Sequence, residues 1–270
     1  MERHRRVYRH SLAARITHWL WALAILVLVM SGLQIFNAAP YLDASDKSDP
    51  SARVLAIGAA GSDAAPVGVT TIFGRSFVTT GLLGFTDDGL GERAPRAFPA
   101  WLTLPGPQNL AEGRRWHFFF GWVLALAALG YGIAGLVRGD LRKLVLRPSD
   151  LPALWPMQLY YLRLRKRPPP YEEYNPLQKA AYTLVLFVLF PLVIVSGLAL
   201  APGVDSIAPW LTQLFGGRQF ARLWHFVFMA LLIGYFAVHL LLVLSTGAWN
   251  NVRAMVTGWY TSTAHPEIER

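Results

Sequence analysis

The sequence predicts an all-α integral membrane protein: a four-helix bundle of two parallel two-helix repeats, with both termini inside and a long outer loop. Of its 270 residues, 54% are hydrophobic and only 15% are charged, whereas soluble domains usually carry about 25% charged residues. Four stretches contain no charged residue, and each exceeds the roughly 20 residues that a helix needs to cross a membrane. A motif at the start of the second stretch recurs at the start of the fourth, which indicates the repeat.

We place the membrane-spanning helices at Ile16–Phe36, Trp116–Val137, Ala180–Ala201 and Leu223–Leu244. Because the hydrocarbon layer contains no water, backbone groups must pair within each segment, so these segments are helices. The first one follows a basic segment, as a signal sequence does, but its apolar stretch is too long for one. We therefore expect a retained helix, with cleavage after Asn37-Ala38-Ala39 as the alternative, and a single membrane domain over residues 1–270.

The distribution of Lys and Arg predicts the orientation. Residues 1–15 contain five basic residues and one acid, and residues 138–179 contain nine basic residues and four acids. Residues 37–115 contain seven basic and eight acidic residues. Since basic loops stay on the cytoplasmic side, both termini and the 138–179 loop are predicted inside, and the 37–115 loop outside, in a bacterial inner membrane. The net charge of +9 then reflects topology, and we expect no nucleic-acid partner.

The two long loops differ in character. The inner loop contains an apolar and aromatic segment, residues 151–161, followed by Arg163, Arg165, Lys166 and Arg167. Such a segment either lies on the anionic inner leaflet or is a solvated basic loop, and the sequence leaves both interpretations open. The outer loop is too long for a plain connection, and its Gly, Pro and aromatic residues are compatible with an exterior docking surface.

The absence of cysteine limits the possible chemistry. It excludes disulfides, thiolate zinc sites, cysteine-held iron–sulfur clusters and covalently attached c-type haem. It also excludes catalysis by a cysteine nucleophile. Any metal in this protein must therefore be held by other side chains.

Two short motifs define the internal repeat. The second predicted helix begins Arg114-Arg115-Trp116-His117-Phe118 and the fourth begins Arg222-Leu223-Trp224-His225-Phe226, so Arg-x-Trp-His-Phe occurs twice. The first and third helices share Ser-Gly-Leu near their outer ends, at residues 31–33 and 196–198. Parallel repeats are related by an axis along the membrane normal. This symmetry predicts that His117 and His225 lie at the same depth.

Four histidines lie in the predicted spans, where an ionisable residue is costly and is normally functional. His117 and His225 start the second and fourth helices at the outer face, and His18 starts the first helix at the inner face. His239 follows His225 by fourteen residues, which is about 21 Å along a helix and brings it near the inner leaflet. The four therefore sort into an outer pair, His117 with His225, and an inner pair, His18 with His239.

One imidazole on each side of a haem plane completes the axial coordination of its iron. Two stacked bis-histidine haems therefore explain the number and depths of these residues, and without Cys-x-x-Cys-His both would be non-covalent b-type haems. Arg114, Arg115 and Arg222 lie at the N-termini of the second and fourth helices on the outer side, where the helix dipole is positive and an anion is needed to compensate. They are candidates for pairing with haem propionates, with lipid phosphates as the alternative. No role is predicted for the histidines of the polar tails, His4, His10 and His265.

Two other functions remain open from the residues alone. In a haem-free membrane anchor, the histidines would only form hydrogen bonds between helices. A zinc, copper or solute transporter is the other possibility, although the predicted spans contain no acidic residue that could act as a metal ligand.

The motifs resemble those of the di-haem cytochrome b family, bacterial cytochrome b561-like proteins that supply membrane subunits to nickel–iron hydrogenases, formate dehydrogenases and thiosulfate reductases. The resemblance runs from about residue 8 to about residue 260. It rests on His18-Trp19, the two Trp-His-Phe openings, His239 and Tyr174-Asn175-Pro176-Leu177-Gln178.

This resemblance implies an electron-transfer subunit without catalytic residues of its own. A catalytic partner on the periplasmic side would exchange electrons with the outer haem, and a quinone near the inner leaflet would exchange them with the inner haem. Residues 98–105 look more like the branch that accompanies molybdopterin oxidoreductases, so such a partner is favoured over a hydrogenase. No pattern in the sequence identifies the quinone-binding residues or the direction of electron flow.

Overall fold

The computed structural model describes residues 4–62, 64–139, 141–171 and 174–263, so His265 lies outside the described residues. Within these ranges, four helices are long and apolar enough to cross a membrane: Leu12–Phe36, Leu110–Arg138, Pro176–Leu200 and Arg218–Ser245. We refer to them as the first to the fourth span. They confirm the four predicted spans, although each begins four to six residues before its predicted start.

The first three spans begin early because polar residues cap their first turns. The side chains of Ser11, Asn109 and Asn175 each accept a hydrogen bond from the backbone N–H three residues further on, which satisfies a donor that the helix leaves unpaired. At the third span, the side chain of Gln178 also accepts from the backbone N–H of Asn175, at 3.1 Å. The Asn-Pro-Leu-Gln part of the motif seen in the sequence is therefore a capping box.

The spans pack as two hairpins around a shared apolar core. The first span packs against the second, and the third packs against the fourth. Each span contributes a buried residue to one cluster, namely Ala24, Leu124, Val185 and Leu232. Many large apolar side chains elsewhere on the spans are exposed, as helices that contact lipid on their outer faces require.

The described part of residues 37–109 folds mainly as a β layer, so the expectation of an all-α fold is wrong for this region and the chain is mostly helical instead. The strands among the described residues are β1 (His4–Tyr8), β2 (Tyr41–Asp43), β3 (Arg53–Ser62), β4 (Ala65–Ile72), β5 (Arg75–Val78), β6 (Gly84–Asp87), β7 (Arg93–Arg96) and β8 (Trp259–Thr263). Strands β2 to β5 form an antiparallel sheet in that order, and β6 pairs with β7. Val, Ile and Thr recur through β3 and β4, and such residues favour strands.

The β layer rests on the outer end of the first span. Leu33 and Phe36 of that span share a buried cluster with Leu42, Ile57 and Phe98 of the layer. The side-chain oxygen of the adjacent Asn37 accepts a hydrogen bond from the backbone N–H of Phe98, at 2.8 Å. The 98–105 stretch is therefore folded against the first span instead of forming a free loop.

At the opposite end of the bundle, the first and last described segments of the chain meet. Strand β1 pairs antiparallel with β8, and helix Ala248–Thr257 lies between the fourth span and β8. The indole N–H of Trp19 donates to the carbonyl oxygen of Met255 at 3.2 Å, and Arg15 donates to that of Val256 at 2.6 Å. These bonds fix the start of the first span to the C-terminal region.

Candidate cofactor site

The outer end of the bundle brings together one histidine from each hairpin. His117 comes from the second span and His225 from the fourth, and their ring centroids are 6.1 Å apart with the ring planes inclined at 77°. Two metal–nitrogen bonds of about 2 Å place the centroids of opposed imidazoles roughly 6 Å apart. The observed separation therefore fits two imidazoles that hold one metal atom between them.

The first span fixes the orientation of the His117 ring. Nδ1 of His117 lies 3.1 Å from the Ser31 hydroxyl oxygen and 3.1 Å from the carbonyl oxygen of Leu28. A carbonyl oxygen can only accept a hydrogen bond, so Nδ1 carries the proton and Nε2 keeps its lone pair. An imidazole anchored in this way presents Nε2 as a metal ligand.

The third span does the same for His225. The Ser196 hydroxyl oxygen lies 2.9 Å from Nδ1 of His225. Ser196 donates its own proton to the carbonyl oxygen of Val193 at 3.1 Å, so its oxygen is free to accept from Nδ1–H. Nε2 is again the nitrogen that keeps a lone pair. In each hairpin, the serine of the Ser-Gly motif thus contacts Nδ1 of the histidine on the following span.

The glycine of each Ser-Gly motif makes room for a histidine ring. A Cβ atom on Gly32 would lie 3.2 Å from Cε1 of His117, and one on Gly197 would lie 3.2 Å from Cε1 of His225. Carbon atoms pack best at about 3.5–4.0 Å, so any side chain at either position would displace a ring. Close approach of the backbone is the physical reason for glycine at both places.

A cavity of about 530 Å³ adjoins both outer histidines, within the range of roughly 300–1,000 Å³ that is usual for cofactor pockets. Arg114 and Arg222 line this cavity together with many apolar side chains. Arg115 instead pairs with Glu112 at 2.7 Å, and its side chain is 78% exposed. The structure thus brings two of the three predicted arginines to the cavity and leaves Arg115 at the surface.

Sequence reasoning missed three polar residues that line the cavity: Tyr41, Arg218 and Gln219. Tyr41 belongs to the β layer, which was expected to be a loop. Arg218 and Gln219 belong to the first turn of the fourth span, which begins five residues before its predicted start. Gly216 and Gly217, both with positive φ, end the preceding turn at that point, and this glycine pair was the available signal.

Gln219 has a polar atom that is not accounted for within the protein. Its side-chain oxygen is buried and has no hydrogen-bond partner in the described ranges. Buried polar atoms are almost always paired. The carboxamide is therefore available to a group bound in the cavity.

Arg222 fastens the β layer to the fourth span. Its guanidinium donates to the carbonyl oxygen of Ala39 and lies 5.5 Å from the ring centroid of Phe36 and 5.4 Å from that of Tyr41. Arg53 lies 4.1 Å from the centroid of the same Tyr41 ring. Cation–π contacts of this kind hold charged groups against aromatic faces. The positive charge of Arg222 is therefore fixed beside the cavity, where the β layer covers it.

Asp43 is the negatively charged partner of Arg53. Its carboxylate accepts from Nε of Arg53 at 2.9 Å and from the backbone N–H of Asp49 at 3.0 Å. Burial by itself raises the pKa of Asp43, but the hydrogen bonds from Arg53 and Asp49 outweigh burial and hold the pKa below its ordinary value. Asp43 is therefore ionised at neutral pH and fixes the start of the β layer.

The inner end of the bundle brings together His18 of the first span and His239 of the fourth. Their ring centroids are 6.3 Å apart, with the planes inclined at 54°. The ring of Tyr235 stacks on His239 at 5.9 Å. Nδ1 of His18 is buried without a hydrogen-bond partner among the residues that the structure describes. The inner pair thus has the spacing of the outer pair but lacks its hydroxyl anchors.

Other residues occupy the repeat positions that lack a histidine. Thr183, which aligns with His18, accepts a hydrogen bond from the backbone N–H of Leu146 at 2.8 Å. Tyr131, which aligns with His239, packs edge-on against Trp21 at 5.2 Å between centroids. These residues make structural contacts where the other hairpin has an imidazole.

The available donors suit a metal that brings most of its ligands with it. Among the described residues, no group of three or more His, Cys, Asp or Glu side chains is arranged to hold a metal ion. A protein zinc site needs three or four such ligands. Haem iron receives its equatorial nitrogens from the porphyrin and needs only axial ligands from the protein, and a pair of histidines is a donor set that fits this need.

Residues 9–258 match the sequence family described as prokaryotic cytochrome b561. The chain belongs to the prokaryotic cytochrome b561 family. It is accordingly a multi-pass membrane protein of the electron-transfer type, and the family implies b-type haem. The match confirms the family resemblance that the motifs indicate.

Relatives of this cytochrome b561 protein carry two kinds of name. It is 27% identical over 229 residues to the putative protein-methionine-sulfoxide reductase subunit YedZ1 of Azospira oryzae, covering 85% of this chain and 86% of the relative. It is 31% identical over 197 residues to the probable Ni/Fe-hydrogenase B-type cytochrome subunit of Azotobacter vinelandii and 30% identical to that of Azotobacter chroococcum. Both of these alignments cover 66% of this chain and 79% of the relative.

Proposed function

We propose that this protein holds two b-type haems, one between His117 and His225 and one between His18 and His239. In this role it carries electrons between a quinone near the inner leaflet and a catalytic partner on the outer side. The observation that carries the proposal is the two histidine pairs, with centroid separations of 6.1 and 6.3 Å. The protein would be an electron-transfer subunit of a respiratory oxidoreductase complex, not a stand-alone enzyme.

The depths of the two pairs support transfer across the membrane. His225 and His239 lie on the same helix, about 21 Å apart along its axis. Two redox centres at these levels span most of the roughly 30 Å hydrocarbon layer. Bound haem supplies reversible one-electron oxidation and reduction of its iron.

At the outer site, the chain orients the ligands and compensates charge. Ser31 and Ser196 hold the Nδ1 protons of the two histidines, which leaves both Nε2 atoms for the iron. Arg114 and Arg222 line the cavity and are proposed to pair with the haem propionates. Arg115 is the weakest of the three arginine candidates because Glu112 already neutralises it.

At the inner site, two neighbouring aromatic residues limit the movement of the ligands. Tyr235 stacks on His239, and Trp19 lies edge-on to His18 at 5.2 Å between ring centroids. Trp19 is itself bonded to Met255. This arrangement fixes both imidazoles at the end of the bundle where we place the quinone.

Charge and internal symmetry support the proposed topology. The basic segments before the first span and between the second and third spans support a cytoplasmic position for both termini. The equivalent Ser–His and Gly–His contacts of the two hairpins support a parallel repeat. With this orientation in a bacterial inner membrane, the β layer faces the periplasm.

The names of the relatives support a catalytic partner subunit, which we place on the periplasmic side because the β layer is proposed to face it. They describe a reductase subunit and hydrogenase subunits, and the alignment with the reductase subunit covers 85% of this chain against 66% for the hydrogenase subunits. From the resemblance of residues 98–105 to the branch that accompanies molybdopterin oxidoreductases, we propose such an enzyme as partner in preference to a hydrogenase. The proposed contact surface is the β layer.

A visible spectrum of the purified full-length protein tests the cofactor proposal. Sharp b-type bands that appear on dithionite reduction, with about two haems per chain, are expected. A folded protein that stays colourless after addition of hemin would be a haem-free anchor or a transporter. His117→Ala and His239→Ala should each remove a different haem, His10→Ala should remove none, and loss of the same haem in both variants would contradict the pairing.

Reduction by a quinol tests which of the two haem sites exchanges electrons with the quinone. In proteoliposomes, a soluble quinol analogue should reduce both haems of the wild type. In His239→Ala it should no longer reduce the outer haem, although dithionite still does, because the inner relay is missing. Equal rates of outer-haem reduction in both proteins would exclude the inner site as the quinone contact.

A further inference from the structure

We propose that residues 151–167, the inner platform, form a binding surface for anionic phospholipid. The inner platform consists of helix Leu151–Tyr161 and the basic stretch that follows it. The sequence leaves a leaflet-bound segment and a solvated basic loop equally open. Three structural observations favour the leaflet and specify an anionic headgroup as the ligand.

The inner platform is held at the level where the third span enters the membrane. Asp150 pairs with Lys179 at 2.9 Å, with side chains only 15% and 9% exposed, and Asn175 donates to the Tyr161 hydroxyl at 3.1 Å. Both partners lie at the start of the third span, which has 25 residues and is thus longer than the roughly 20 needed to cross the hydrocarbon layer. Its first turn therefore lies among the headgroups, and the inner platform lies beside it.

One side of the helix faces the protein and another is bare. Met157 is almost fully buried, whereas Leu151 and Trp155 are 52% and 67% exposed. Leu162, which directly follows the helix, is exposed as well. Leu151, Trp155 and Leu162 follow the i, i+4, i+11 spacing of one helical stripe. The helix itself carries no charged residue, and the charge lies in the basic stretch that follows it. An exposed apolar surface next to basic residues is typical of segments that lie in a membrane interface.

A cluster of positive charge follows the end of the stripe. Arg163, Arg165, Lys166 and Arg167 are all exposed, and within the described parts of the chain no acidic side chain forms an ion pair with any of them. Leu164 lies among them and is 74% exposed. Apolar and basic side chains so interleaved match the acyl chains and the anionic headgroups of a leaflet at once. A water-soluble acidic protein would match the charges but leave the apolar stripe uncovered.

The absence of cysteine from the chain allows a clean test. Leu164→Cys creates a single site for a fluorophore, and Ser76→Cys, on the exposed strand β5, gives a matched control label. Full-length protein is reconstituted in zwitterionic lipid with or without an anionic phospholipid, and the bromine quencher is placed on the acyl chains of one lipid at a time. The label at position 164 should be quenched by brominated acyl chains, and about twofold more per bromine when the anionic lipid carries them.

Charge variants separate lipid selectivity from mere proximity to the membrane. Neutralising the four basic residues to Gln should abolish the preference for anionic lipid and leave quenching by zwitterionic lipid in place. A control with Lys47→Gln, Arg75→Gln and Arg93→Gln in the β layer should keep the preference. Unchanged preference in the first variant overturns the proposal.

Accessibility of the label gives the second decisive result. If aqueous iodide quenches the label at position 164 as strongly as the label at position 76, and brominated lipid does not, the inner platform is a solvated loop or a docking site for a soluble protein, and the proposal is wrong. Size-exclusion profiles and thermal unfolding show whether each variant is folded. None of these measurements depends on the haem.

Discussion

The two histidine pairs have nearly the same geometry but are built in different ways. Ring centroids are 6.1 Å apart in the outer pair and 6.3 Å apart in the inner pair. The outer pair is a product of the repeat: each hairpin supplies one histidine, one serine that contacts its Nδ1 and one glycine that its ring approaches. The inner pair breaks the repeat, since His18 and His239 have Thr183 and Tyr131 at their equivalent positions.

The same separation of two imidazole rings is therefore reached with two different sets of neighbouring side chains. At the outer pair, hydrogen bonds at Nδ1 make Nε2 more basic, and bonds of this kind would tune a metal held there. At the inner site, a stacked tyrosine and an edge-on tryptophan hold the rings instead. The outer site should therefore respond to loss of hydroxyl groups and the inner site to loss of aromatic groups.

The largest effect is expected from blocking the outer site alone. Gly197→Leu places a side chain where a Cβ already lies 3.2 Å from the His225 ring, so the outer haem should be lost and about one haem per chain should remain. Pyridine haemochrome analysis with protein quantification measures this ratio. Gly234→Leu is the control, because a Cβ there meets nothing within 4 Å. Loss of both haems from a folded Gly197→Leu protein would contradict the independence of the two sites.

A smaller effect on the outer site is expected from Arg222→Gln. A hydrogen bond to a charged group contributes roughly 1.5 kcal/mol, so haem retention at the outer site should weaken about tenfold. Competition with apomyoglobin for haem measures it. Arg115→Gln should retain haem as the wild type does, because its partner is Glu112. Equal effects of the two substitutions would show that the cavity-lining arginine has no special role.

The next prediction concerns the β layer that covers only the outer site. Asp43→Asn should lower stability by about 1 kcal/mol at neutral pH, because it weakens the bonds from Arg53 and Asp49. The pKa of Asp43 is lower in the folded state, so this contribution is present above the unfolded pKa of about 4 and is lost as the pH falls through the folded pKa. Thermal unfolding at pH 7 and in acid measures the difference. A gap between wild type and variant that widens in acid would reverse the assigned sign.

A finer effect is expected from Ser196→Ala. Loss of the acceptor near Nδ1 makes His225 a less basic ligand, so the midpoint potential of the outer haem should rise by roughly 20–40 mV, which corresponds to less than about 1 kcal/mol. Potentiometric titration followed at the b-type bands measures it, and the inner haem is the internal control. An equal shift of the inner haem would mean that the substitution acts through the whole bundle.

The smallest change is expected from Tyr235→Leu. Removing the ring that stacks on His239 loosens the inner ligand, and an aromatic pair contributes about 0.5–1 kcal/mol. The inner haem should show broadened bands and a small shift in potential, while the outer haem keeps its titration curve. Low-temperature absorption spectra distinguish the two haems. A change confined to the outer haem would refute the assignment of Tyr235 to the inner site.

Some parts of the structure were predictable because the rules behind them are local. Charge-free stretches of sufficient length located all four spans, although Ser11, Asn109 and Asn175 extend three of them by capping their first turns. Sequence spacing along the fourth helix separated His225 from His239. The β layer was missed because its short runs of β-branched residues are a weak signal beside 20-residue apolar runs.

Patterns in the sequence were enough to identify four helices long and apolar enough to cross a membrane, a resemblance to b-type cytochromes and histidines at two levels of the helices, because hydropathy, charge bias and helical periodicity act between neighbouring residues. Packing in three dimensions determines which arginines reach the cavity and which nitrogen of each outer histidine keeps its lone pair. Those properties depend on contacts between distant residues, such as Ser31 and His117, which are 86 positions apart. Periodicity predicts the face of a helix on which a residue lies, but packing decides what that face meets.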